Sequence, residues 1–139
     1  MNQKRRLAAL LLAGTAATAV GLGGAGPAQA ASEYAYLTIR PLGSGQYSVT
    51  VTGHLNLPVA VPTGYSIKII GDDWFDEPPV CEQYPLTTNG YGNFWHQFTC
   101  PGTLLNEDIG QDENYAKVTV YPPGVKSHSV NSNVVEGYY

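Results

Sequence analysis

"QYSVTVTGHLNL", residues 46–57, opens with strict alternation between two kinds of side chain. Tyr47, Val49 and Val51 fall on one side of an extended backbone, and Ser48, Thr50 and Thr52 fall on the other. Valine and threonine, stiff at their branched Cβ, suit a pleated, half-buried surface better than a helix. The stretch predicts a strand with one face in a core and the other in water.

The same pattern recurs on both sides of it. "EYAYLTIR" (33–40) places Ala35, Leu37 and Ile39 on one face; Pro41 ends it and "LGSGQ" reads as a turn. "YSIKII" (65–70) turns Ile67 and Ile69 inward. "CEQYPLTT" (81–88) carries Pro85, which suits an edge or irregular strand. "NFWHQFTC" (93–100) points Phe94 and Phe98 one way and Trp95 the other. "NYAKVTVY" (114–121) puts Ala116, Val118 and Val120 inward, and "SHSVNSNVVEGYY" (127–139) is a weaker seventh strand. Between them, "PVAVPTG" (58–64) is predicted to run extended, stiffened by Pro58 and Pro62. No segment has helical periodicity.

Seven short strands broken by Gly, Pro and Asn predict one all-β domain, an antiparallel immunoglobulin-like β-sandwich. At the level of architecture this resembles small secreted immunoglobulin-like domains. The Cys-Trp-Cys arrangement of antibody domains is absent, and the two cysteines look too close in sequence for a bridge between sheets.

Residues 1–30 are read as a secretory signal peptide. "MNQKRR" is the cationic start, Leu7–Val20 the apolar run, and Ala28-Gln29-Ala30 the small-residue cleavage site. The domain is then 31–139, 109 of the 139 residues. It retains Arg40, Lys68, Lys117 and Lys126 against eleven acidic residues, a net charge of −7. Such a chain is repelled by nucleic acid and by anionic membranes, and neither is an expected partner.

In an exported chain, two cysteines are expected to pair. Cys81 and Cys100 are placed symmetrically about Gly90-Tyr91 in "TNGYGN", so the spacing predicts a hairpin with the two cysteines opposite each other on adjacent strands. Their Cα atoms would then lie about 5.5–6 Å apart.

The acids are unevenly distributed. "GDDWFDEPPVC" (71–81) and "NEDIGQDEN" (106–114) hold eight of the eleven, and the up-and-down strand order brings both segments to one end. Calcium takes carboxylate and carbonyl oxygens from such loops, and Asp72, Asp73, Asp76, Asp108 and Asp112 are the candidate ligands. Solvated surface charge is the alternative, since neither loop has EF-hand spacing. Trp74 and Phe75 in the first loop, and Trp95 on its strand, are candidate ligand-binding aromatics or else structural anchors.

Catalytic motifs are missing. His54, His96 and His128 have no zinc-ligand spacing, and no nucleophile elbow occurs. Paired carboxylates would suit a small secreted hydrolase, but a sandwich of this size offers little room for a cleft. The expected function is a secreted, extracellular, non-enzymatic binding or interaction module with an acidic, aromatic rim, calcium being the one cofactor considered. An extracellular protein or a glycan is its expected partner. The alternatives are a carbohydrate-binding module, favoured by a flat row of exposed aromatics on one sheet, and a proteinase inhibitor using the 58–62 loop.

Overall fold

The alternation around Val49 and Val51 is realised as the middle strand of a three-stranded sheet. The computed structural model describes residues 31–71, 79–106 and 110–139. They form β1 (Tyr34–Gly43), β2 (Gln46–His54), β3 (Gly64–Gly71), β4 (Cys81–Thr87), β5 (Asn93–Pro101), β6 (Asp112–Tyr121) and β7 (His128–Gly137). A single helical turn, α1 (Gly102–Leu105), links β5 to β6, where the sequence carries no helical signal.

The strands make two antiparallel sheets, ordered β1-β2-β5 and β4-β3-β6-β7. Their inner faces enclose the core. Leu37, Val49, Val51, Ile67, Ile69, Ala116, Val118 and Val120 are buried, as the alternation predicts. Phe98, Ile39 and Tyr47 pack against this cluster from its margins, only partly covered. Tyr65 and Phe94 bring tilted rings together inside, with centroids 5.2 Å apart. Burial pushes the Tyr65 phenol above the ordinary tyrosine range.

Cys81 and Cys100 are bonded, with Cα atoms 6.5 Å apart. The predicted hairpin, however, does not form. β4 pairs with β3 and β5 with β2, so the disulfide joins the two sheets. The turn at Gly90-Tyr91 itself closes as its sequence suggests: Gly92 N–H donates to Asn89 C=O, Asn89 N–H donates to Asn93 C=O, and Asn89 Oδ1 accepts from the Tyr91 and Asn93 amides. The strands diverge because non-local bonds hold them apart. Thr88 N–H donates to Thr63 C=O while Thr63 N–H donates to Thr88 Oγ1, tying the end of β4 to β3. Leu55 N–H donates to Gly92 C=O, tying the start of β5 to β2. Gly92 sits at φ +80°, and a Cβ there would lie 2.0 Å from the Leu55 carbonyl, so only glycine allows this approach.

On the opposite side, β1 meets β7 through one side chain. Asn133 Nδ2 donates to Leu37 C=O at 3.2 Å, and Leu37 N–H donates to Asn133 Oδ1 at 2.8 Å. The exposed edge of β1 is thus capped rather than left open. Glu33 Oε1 accepts from Asn56 N–H and meets His128 Nε2 at 2.7 Å, fastening the far end of the same side.

Candidate functional site

The sequence-predicted residues distribute over three places. Asp72, Asp73, Trp74, Phe75, Asp76 and Asp108 lie outside the described residues. Asp112 is described, and it is not on a solvated rim: it begins β6 on the inward face and is 7% exposed. Near it, Asn114 Nδ2 donates to Leu105 C=O, and Tyr139 packs edge-on against Tyr47 with centroids 5.3 Å apart. Burial raises the Tyr139 phenol; the Asn114 amide opposes that rise, while the negative charge of Asp112 and the neighbouring Tyr47 add to it. Among the described residues, no group of three or more His, Cys, Asp or Glu side chains could hold a metal ion.

The 58–62 segment is exposed along its length. It is not extended as predicted. Val61 N–H donates to Val59 C=O at 2.9 Å, so the backbone turns at Ala60. Thr63 Oγ1 donates to Val61 C=O and holds that turn.

Trp95 stands in the third place, on an exposed sheet face. It is 64% exposed on β5, on the outer face of the three-stranded sheet. Register sets its neighbours: Trp95 is opposite Thr52 on β2, and Thr52 is opposite Tyr36 on β1. Tyr36 and Trp95 therefore share one cross-sheet row, two strand spacings or about 9–10 Å apart. Tyr34, two residues from Tyr36 on β1, heads the next row with His54 and Asn93. Tyr34 and Tyr36 are each 55% exposed.

The rest of this face is hydroxyl and amide. Thr38, Thr50 and Gln97 form the row on the other side of Trp95, and Arg40, Ser48 and Thr99 the row beyond it. Arg40 is the only residue of formal charge on the face, at its far end, in a domain whose net charge is −7. Local bonds orient several of these groups. Thr52 Oγ1 donates to Phe94 C=O, Gln97 Nε2 donates to Ser48 Oγ, and His54 Nδ1 meets Asn93 Oδ1 at 3.0 Å.

Chemically, this is a row of exposed aromatic side chains on one sheet face, bordered by neutral hydrogen-bonding groups. Aromatic rings carry a negative face and pair with weakly positive C–H edges. Nothing on the platform resembles a nucleophile paired with a base. The sequence reading singled out Trp95 but not Tyr34 or Tyr36. The signal was present in "EYAYLTIR", because putting Ala35 and Leu37 inward turns both tyrosines outward. Their alignment with Trp95 depends on the β1-β2-β5 order, which alternation does not reveal.

No protein-family model matches the chain, and no curated protein matches it. A crystal structure of a protein from Archaeoglobus fulgidus is similar over 76% of this chain and 94% of that one, at 12% identity and a TM-score of 0.41.

Proposed function

We propose that this protein is an extracellular, non-enzymatic glycan-binding module of immunoglobulin-like architecture. The observation that carries the reading is the row Tyr36–Thr52–Trp95, flanked by Tyr34 and by a nearly uncharged hydroxyl and amide surface. A pyranose presents a C–H face that stacks on such rings and hydroxyls that exchange bonds with Thr, Gln and Asn. A rigid sheet holds the rings in place before binding, so little ordering entropy opposes association.

The strand order supports the immunoglobulin-like assignment, with three strands on one sheet and four on the other. Export is supported by the cationic, apolar and small-residue segments of residues 1–30 and by the paired cysteines. Among the described residues, no helix is long and apolar enough to cross a membrane.

The test is affinity electrophoresis of the purified 31–139 domain through gels containing a panel of soluble neutral polysaccharides, followed by titration calorimetry on any that retard it. Trp95→Ala and Tyr36→Ala are expected to abolish retardation while leaving thermal unfolding near the wild-type value, since both side chains are exposed. Retardation that survives both substitutions, or a panel that gives none, overturns the reading.

A further inference from the structure

We propose that the outer face of the four-stranded sheet carries a second binding site, specific for an acidic sugar such as a uronic acid. The site does not depend on the Trp95 platform, which lies on the opposite face of the sandwich.

A groove of about 380 Å³ opens there, within the size range of small-ligand sites. Tyr84 and Pro85 of β4 form one wall and Tyr121 of β6 the other, with Ser66 of β3 on the floor and Glu82 of β4 also in the lining; Lys68 and Lys117 stand outside it. The groove exists because β4 bulges: Tyr65 is opposite Leu86 but Ile67 is opposite Gln83, so two residues, Tyr84 and Pro85, stand against the single Ser66. Tyr84 is 71% exposed and Tyr121 52%, and the Tyr121 hydroxyl is 2.9 Å from Ser66 Oγ. Two rings with a hydroxyl pair between them suit a ring that is apolar on its faces and hydroxylated at its edge.

Charge decides which ring. Lys68 lies two residues beyond Ser66 on the same face, about 7 Å along the strand. Directly opposite it on β6 is Lys117. Like charges placed opposite each other on neighbouring strands repel, and these are two of only four basic residues in 31–139. Glu82 contacts Lys68 at 3.2 Å, which balances one of the two ammonium groups and leaves the row Glu82–Lys68–Lys117 with a net positive charge. A cationic ligand is disfavoured there. A carboxylate set between the two lysines relieves their repulsion, with its sugar ring extending over Ser66 between the tyrosines.

The experiment is a titration of isotope-labelled 31–139 domain with trigalacturonate, followed by amide chemical shifts, with trigalactose as the neutral arm. Trigalacturonate is expected to shift amides of β3, β4 and β6 and to weaken with added salt. Lys117→Gln raises its Kd several-fold, whereas Arg40→Gln, which removes the same charge elsewhere, does not. Tyr121→Ala raises Kd about tenfold. Shifts confined to β1, β2 and β5 would overturn the proposal. So would equal affinity for the neutral trimer, or Lys117→Gln and Arg40→Gln acting alike. None of these outcomes bears on retardation through Trp95, so the two sites stand or fall separately.

Discussion

Cys81 stands on the outermost strand of one sheet and Cys100 on the outermost strand of the other, and their bond closes the side of the sandwich where β4 and β5 do not pair. The bond therefore replaces backbone hydrogen bonding as the connection along that side. In the chain-entropy picture, a loop of this length contributes about 3 kcal/mol by restricting the unfolded chain. The double variant Cys81→Ser/Cys100→Ser is expected to unfold at lower denaturant by that amount, with a fall in Tm on the order of 15 °C. Chemical denaturation followed by fluorescence measures it; an unchanged midpoint would mean that packing alone holds the sheets together.

Asn133 does on the other side, with two hydrogen bonds to Leu37, what the disulfide does on its own. Asn133→Ala leaves the Leu37 N–H and C=O without this partner and is expected to cost about 1–3 kcal/mol. Asn133→Asp keeps the acceptor but loses the donor, so it should fall between wild type and alanine. Amide exchange at Leu37 reads the effect directly: protection of that N–H should drop in the alanine variant and largely survive in the aspartate.

Ile69 is wholly buried and Thr50 faces outward from β2. Ile69→Asp strands a charge in the core and is expected to prevent folding, whereas Thr50→Asp should change stability by less than about 0.5 kcal/mol. Equal melting temperatures for the two would show the inner and outer faces to be misassigned.

Gly53 lets β1 and the Phe94 ring close over β2. A Cβ built on it would lie 2.1 Å from the Tyr34 carbonyl and 2.7 Å from the Phe94 ring. The carbonyl belongs to a paired strand and cannot yield cheaply. Gly53→Ala is expected to destabilise by about 1–3 kcal/mol as an overpacking change, and it should shift Tyr34 away from the Trp95 platform. Retained stability with unaltered Tyr34 resonances would count against so tight an approach.

Tyr65 and Tyr139 both hold their protons more strongly than an ordinary tyrosine, chiefly because burial penalises the phenolate. A phenol whose folded pKa lies above the unfolded value near 10 favours the folded state while it is neutral. That contribution is whole below about pH 10 and is lost as pH rises from there through the folded value. Stability should accordingly decline above pH 10, and Tyr65→Phe should flatten the decline. Ultraviolet titration is expected to show Tyr65 and Tyr139 ionising late, together with unfolding. A single early transition would contradict the burial of both phenols.

Alternation alone carried the reading of this chain a long way, because a strand's period of two is written locally. It gave seven strands, the inward residues from Ala35 to Val120, and Trp95 as an outward aromatic. It also brought the two cysteines together, though not in their true setting. The "TNGYGN" symmetry describes a turn and is blind to what the flanking strands find beyond it. The Thr63–Thr88 and Leu55–Gly92 hydrogen bonds sent β4 to one sheet and β5 to the other.

Asp112 makes the same point about charge. Read in sequence, it belongs to an acidic loop; in the fold it starts β6 on the inward face, because the alternation of Asn114, Ala116 and Val118 extends back to it. The seven-strand pattern and the inward faces of its apolar residues were thus legible in the order of residues. Which strands became neighbours was not. Tyr36 and Trp95 are separated by about half of the described residues and become one surface only through β2, and Lys68 meets Lys117 only through the pairing of β3 with β6. Strand pairing is a competition among non-local hydrogen bonds and buried faces, decided when the whole core closes. The candidate sites of this protein arise at that step.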